Sequence, residues 1–189
     1  MKPAMRIGVI GVGAIAQVAQ LPTLARLRGA QLVALCDNDG PKARALAERF
    51  GVPDVFTDID EMLEFDELDA VVISTPSHLH EPHVLSALAA GIHVLCERPL
   101  ALTARGVERI LAAAARSDRK VAVANNHRFR SDVQAVGAFL RGGELGKLTG
   151  VRIGSYQSTR GAAGWRLRRA ESGGGAFMEQ GFAMLDLAL

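Results

Sequence analysis

The stretch over 7–16 constrains the fold more than any other part of the 189-residue chain. Ile7, Val9 and Ile10 make a short aliphatic run, Gly11 and Gly13 follow at once, and Ala14, Ile15 and Ala16 lead into helix-forming sequence. A strand, a glycine turn and a helix in immediate succession put Gly11, Gly13 and Ala16 in the G-x-G-x-x-A spacing of a dinucleotide-binding fingerprint. Gly11 allows the tight turn out of the strand. Gly13 lacks the Cβ that would hold a pyrophosphate away from the backbone, and Ala16 lets helix and strand approach closely. The helix N-terminus adds unpaired N–H groups and the positive end of a dipole. The run 32–36 reads as a second strand, and Asp37 closes it 24 residues after Gly13. A carboxylate there suits the two hydroxyls of an adenosine ribose and repels a 2′-phosphate, so NAD is expected in preference to NADP.

The first helix should reach about residue 20, where Pro22, having no N–H, must break or kink it. Asp39, Gly40 and Pro41 start a second helix and Gly51 stops it. Residues 55–56 form a short third strand, and Asp58 caps an acidic helix to residue 65. The run 69–74 is a buried strand ending at Thr75 and Pro76. A helix over 80–90 is closed by Gly91, and 93–96 is a fifth strand whose terminal turn is Glu97, Arg98 and Pro99. Thr103 caps an alanine-rich helix to residue 116, and 120–124 is the sixth strand. Strands alternating with helices at these spacings demand an α/β fold, a doubly wound parallel sheet over 1–124. The order 3-2-1-4-5-6 opens a crevice between the first and fourth strands, so Ser74, Thr75 and Pro76 should line the cofactor.

From residue 125 the pattern changes. A helix over 133–140 ends at Gly142 and Gly143, and 148–158 alternates as a half-buried strand does. After a loop rich in glycine and arginine, 177–189 reads as an almost uniformly apolar helix, which must be buried on most sides. One strand and one helix cannot do that. Residues 125–189 are therefore expected to be the opening of a second, α+β domain that is incomplete here.

Hydrophobic residues at 49% and charged ones at 22% describe a globular chain with material for a core, and a net charge of +2 singles out no partner. Scarce aromatics argue against a base-stacking nucleic-acid platform. No run approaches a membrane span, and glycines interrupt the first apolar stretch where a signal peptide would be continuous. Cys36 and Cys96 sit near strand ends outside any C-x-x-C pair, as small core residues of a reduced, cytoplasmic protein. His78, His80 and His83 lack further ligands, and Pro82 disturbs their register, so no metal site is expected.

Gly11-Val-Gly-Ala-Ile-Ala16, Ser74-Thr-Pro-Ser-His-Leu-His80, Ala90-Gly-Ile-His-Val-Leu-Cys-Glu-Arg-Pro-Leu100, Arg128-Phe129, Gly143-Glu-Leu-Gly-Lys147, Trp165-Arg166 and Gly173-Gly-Gly-Ala176 carry a resemblance. In order and spacing the chain resembles the glucose–fructose oxidoreductase and inositol dehydrogenase family of NAD(P)-dependent enzymes. The resemblance implies a Rossmann domain followed by a domain on a large, mostly antiparallel sheet, through which copies associate when it is complete. It also implies hydride transfer between a nicotinamide cofactor and a sugar, polyol or related small hydroxylated molecule. On the cofactor side it places Gly11, Gly13, Ala14, Ile15, Asp37, Ser74, Thr75, Pro76, His80, Glu97, Arg98, Arg128, Trp165 and Arg166.

Two positions depart from the family pattern. Arg98 stands where the family has a lysine near the nicotinamide, and a guanidinium can orient a substrate but cannot act as a base. Glu179 and Ala183 stand where the family has an aspartate and a histidine, an i, i+4 pair on one helix face. Arg98 and Glu179 are the catalytic candidates, Glu179 being the acid or base left in that motif. A carboxylate merely satisfied at a domain seam is equally open for it. The rival function is a cofactor-binding sensor or regulatory protein that has lost turnover, which Ala183 and Arg98 favour.

Overall fold

Six short apolar runs become strands of one sheet in the computed structural model, which describes residues 3–156 and 164–188. They are β1 (Met5–Ile10), β2 (Ala30–Cys36), β3 (Asp54–Phe56), β4 (Ala70–Ile73), β5 (His93–Cys96) and β6 (Val121–Val123). Every neighbouring pair is parallel and the order is β3-β2-β1-β4-β5-β6. The expected doubly wound α/β sheet is thus the observed one. These strands are aliphatic on both faces because both faces are covered.

One face packs Leu35, Val9 and Val72 with Ala16, Leu21, Leu24, Ala43 and Leu46. The last four side chains come from α1 (Leu21–Leu24) and α2 (Gly40–Phe50). The other face packs Ile10, Val71, Ile73, Val94 and Cys96 with Met62, Val84, Leu88 and Ile110. These belong to α3 (Ile59–Leu63), α4 (Ser77–Ala89) and α5 (Ala104–Ser117). Asp39, Asp58 and Thr103 cap α2, α3 and α5 through side-chain oxygens. Gly51 ends α2 in the left-handed conformation. The fourth helix begins at Ser77, earlier than the sequence suggests, because Pro76 can precede a helix without supplying an N–H.

Pro22 does not break the first helix. Helical backbone continues through 14–24, and Ala16–Gln20 adopts π geometry, with the Leu21 N–H donating to the Ala16 carbonyl five residues back. One wider turn absorbs the proline's missing donor while Leu21 and Leu24 stay in the core.

The chain divides into two compact units, Met1–Val123 and Ala124–Leu189. The second contains a 3₁₀ turn (Asn126–Phe129), α6 (Ser131–Arg141), α7 (Gly164–Leu167), α8 (Arg169–Ser172), a π turn (Phe177–Gly181) and α9 (Phe182–Ala188). One expectation fails here. Residues 148–156 form no strand, and Leu148, Val151 and Ile153 are exposed; the last residues of that expected strand lie outside the described ones. A strand needs a neighbour to pair its backbone, and no strand is present among the described residues of this unit. In the terminal helix Phe177 is 62% and Leu185 47% exposed, so the described residues do not supply the cover its apolar sequence calls for. Its neighbours are short helices without a sheet to receive an apolar face.

Candidate functional site

The strand tips of the first unit converge on the glycine turn. Gly11 has φ +86°, its N–H donates to the Cys36 carbonyl at 2.8 Å, and the Ser74 N–H donates to the Ile10 carbonyl at 2.8 Å. A Cβ on Gly11 would lie 2.8 Å from the Thr75 nitrogen and 2.9 Å from the Ser74 carbonyl carbon. The turn is therefore wedged against the tip of β4. At Gly13 the opposite holds: a Cβ would meet no heavy atom within 4 Å. Gly13 thus borders open space at the start of a helix, and Ala14 and Ile15 are the helix's first, exposed residues. The buried Ser74 Oγ has no hydrogen-bond partner among the described residues. Room at Gly13 and an orphaned hydroxyl on Ser74, whose backbone faces Gly11, fit a dinucleotide lying across the crevice.

Asp37 at the tip of β2 is 9% exposed and already engaged. Its Oδ2 accepts the Val12 N–H at 2.8 Å, and its Oδ1 accepts the Asp39 N–H at 2.9 Å. The Lys42 ammonium stands 3.0 Å from Oδ1. A carboxylate can accept about four hydrogen bonds, so capacity remains for a ribose hydroxyl.

His80 ties two strand tips together. The ring is 1% exposed, its Nδ1 lies 2.6 Å from the Pro99 carbonyl oxygen, and its Nε2 lies 2.8 Å from that of Thr75. His83 Nδ1 pairs with Thr75 Oγ1 at 3.2 Å, and burial, reinforced by the charge of His80, holds its pKa below the usual histidine range. Their partners are carbonyl and hydroxyl groups, and among the described residues no His, Cys, Asp and Glu cluster is arranged for a metal ion. His80→Phe should leave both carbonyls facing an apolar ring. We expect a loss of about 2–4 kcal/mol in urea unfolding, and a change well under ~1 kcal/mol would contradict the tie.

Glu97 and Arg98 follow β5, with a cis peptide between Arg98 and Pro99. The Glu97 carboxylate accepts Gln20 Nε2–H at 2.6 Å, across the crevice from the π turn. Sequence reasoning missed Gln20 and Lys42. Their only signal was polarity on the first turns after two strand tips, where solvated side chains are also common. Both cysteines are buried thiols: burial, with the charges of Asp37, Asp58 and Glu61, pushes Cys36 up to about 12, and burial with Glu97 raises Cys96 as well.

The remaining sequence candidates form their own contacts in the second unit. Arg128 and Asn125 both donate to Asp186, the Arg128 Nε at 2.9 Å and the Asn125 Nδ2 at 3.1 Å. Arg166 stacks on the Trp165 ring at 4.4 Å and donates through Nε to Glu179 Oε1 at 3.2 Å. The Glu179 carboxylate therefore shares its lone pairs with a guanidinium. Ala183 is 1% exposed, so its methyl group is packed.

Relatives agree with this geometry. Residues 5–125 match the model of an oxidoreductase family with an NAD-binding Rossmann fold. The chain is 32% identical to D-glucoside 3-dehydrogenase of Escherichia coli (strain K12) over 198 residues, covering all of this chain and 56% of that protein. Scyllo-inositol dehydrogenase from Lactobacillus casei, solved with NAD(H) and scyllo-inositol, superposes with a TM-score of 0.73 at 27% identity, over 77% of this chain and 43% of that one. A 3-ketoreductase from Actinomadura kijaniata, in complex with TDP-benzene and NADP, gives 0.71 at 30% identity, over 75% and 44%. The chain spans about half the length of these relatives. No helix among the described residues is long and apolar enough to cross a membrane. With its glycine turn, its strand order and the match over 5–125, the chain belongs to the oxidoreductase family with the NAD-binding Rossmann fold, whose sequenced and solved relatives include sugar and polyol dehydrogenases.

Proposed function

We propose that the chain serves NAD-dependent hydride transfer to or from a hydroxyl-bearing carbon of a sugar, polyol or related small molecule. One observation carries the reading: the glycine turn, Asp37 and the Glu97–Arg98 turn follow the C-terminal ends of β1, β2 and β5, at the same edge of one parallel sheet within one folded unit. A bound nicotinamide supplies the hydride acceptor or donor. Gly13 gives the pyrophosphate its approach, Ser74 and Thr75 line the crevice, and Asp37 accepts from the adenosine ribose. Arg98 orients the substrate's oxygens. Glu179 is the acid or base left in its motif, and Arg166 holds it. By the family resemblance, Arg128 and Trp165 are further cofactor residues. Two buried thiols suit a reducing cytoplasm.

The test combines binding and turnover. NADH should bind more tightly than NADPH in a fluorescence titration, and Asp37→Ala should narrow the ratio several-fold. NAD reduction should appear with members of a panel of inositols and glucosides. Equal affinity for both cofactors in the unmutated chain contradicts the role given to Asp37. A second reading rests on Arg98 and on the packed methyl group of Ala183, since neither group exchanges a proton. In that case the chain binds NADH as a sensor or regulatory partner and turns over none of the panel.

A further inference from the structure

The turn that follows β5 is held from two directions. Its backbone belongs to the β4 side: the Glu97 N–H donates to the Ile73 carbonyl at 2.9 Å, and the Pro99 carbonyl oxygen lies 2.6 Å from His80 Nδ1. The Glu97 side chain goes the other way, to the helix that follows β1, which β4 separates from β5 in the sheet. There its Oε1 accepts Gln20 Nε2–H at 2.6 Å. Gln20 is the last residue of the π turn. Ala16 and Leu21, five positions apart, are both fully buried in the i, i+5 repeat of that geometry, while Gln20 is half-buried. Gln17 on the same turn donates through Nε2 to the Val12 carbonyl at 2.9 Å. The wide turn is thus tied to the glycine turn by one glutamine and to Glu97 by another.

We propose that Gln20 is a positioning residue: it aims the Glu97 carboxylate at the cofactor and couples the Glu97–Arg98 turn to the glycine turn. The proposal rests on the dinucleotide reading above, in which Glu97 is a cofactor residue. An amide donor suits this task. It occupies one of the roughly four acceptor positions of the carboxylate and leaves the others for a ligand. It also keeps the negative charge in place, where a lysine or arginine would neutralise it. Holding Glu97 in one rotamer before the cofactor arrives removes an ordering cost from binding. Because Ile73 and His80 hold the backbone of the turn, loss of the Gln20 donor frees the carboxylate without unfolding the turn.

The experiment measures NADH binding by cofactor fluorescence, and urea unfolding, in the full chain. The variants are Gln20→Ala, Gln20→Glu, Gln20→His, Glu97→Ala and the double variant Gln20→Ala with Glu97→Ala. Gln20→Glu keeps the shape but exchanges the donor for a charge that repels Glu97. It should weaken NADH by about tenfold or more and unfold close to the parental urea concentration. Gln20→His offers a ring N–H at similar reach and should stay within about threefold of the parent. In the double variant Gln20→Ala should add nothing to the loss caused by Glu97→Ala, because the two residues act as one. Unchanged affinity in Gln20→Glu, a loss in Gln20→His as large as in Gln20→Glu, or additive losses in the double variant each overturn the proposal, even though the site binds dinucleotide. So does a Gln20→Ala protein that unfolds at far lower urea, since Gln20 then supports the fold and not the carboxylate. If the unmutated chain binds no NADH, the dinucleotide reading itself fails and this proposal with it.

Discussion

Gly11→Ala is expected to abolish detectable NADH binding and to destabilise the first unit by about 2–5 kcal/mol. Two effects add. The backbone at Gly11 has φ +86°, which an L side chain rarely adopts. The new Cβ would also lie 2.8 Å from the Thr75 nitrogen and 2.9 Å from the Ser74 carbonyl carbon. Those are backbone atoms at the tip of β4, held by the Ser74 N–H bond to the Ile10 carbonyl, so no rotamer change makes room. The β1 and β4 tips must part, and the crevice between them is where the cofactor is proposed to lie. Gly13→Ala is the control, because its Cβ meets nothing within 4 Å. It should unfold at nearly the parental urea concentration, yet bind NADH more weakly, since the methyl group occupies the approach left to the pyrophosphate. A Gly11→Ala variant of parental stability and affinity would show that the wedge at Thr75 is unimportant.

Arg98→Lys is expected to raise the rate of NAD reduction by about a hundredfold on whichever polyol the parent turns over slowly. A guanidinium stays protonated at any pH the protein survives, whereas an ammonium in an active site can give and take a proton. General acid–base assistance is worth about 10² to 10⁴ in rate. The neighbouring geometry should survive the change, since Gln20 holds Glu97 independently at 2.6 Å. The readouts are kcat and its pH profile, where the lysine variant should show an ionisation absent from the parent. Arg98→Met isolates the orienting role: it removes the charge without supplying a base, and should raise KM with no gain in kcat. Suppose instead that the parent already turns over rapidly and Glu179→Gln leaves the rate unchanged. The proton would then pass through another group, and His127 and Tyr156 are the nearest candidates in sequence. Restoring histidine at 183 is a poorer repair than the sequence motif suggests. Ala183 is 1% exposed, and forcing an imidazole into that space would cost about 1–3 kcal/mol in overpacking.

The sheet of the first unit was legible in the sequence because its determinants are local and repeated. Aliphatic runs such as 70–73 and 93–96, caps at Asp39, Asp58 and Thr103, and the stop at Gly51 each act within a few residues. The strand order is the usual one for a fold that opens on such a glycine turn. Pro22 was readable as a disturbance but not as its outcome. Whether a helix breaks or widens by one turn depends on Leu21 and Leu24 finding the core. The expected strand over 148–158 rests on alternation, which states what a segment could pair with and not whether the partner is at hand. Among the described residues of the second unit no strand offers itself, so Val151 and Ile153 stay exposed. The side-chain pairings of the site were equally out of reach. Gln20 with Glu97, His80 with the Pro99 carbonyl, and Arg166 with Glu179 join residues well separated along the chain. Even Lys42, five positions from Asp37, could not be assigned its partner before the turn at the tip of β2 fixed where the two charges meet.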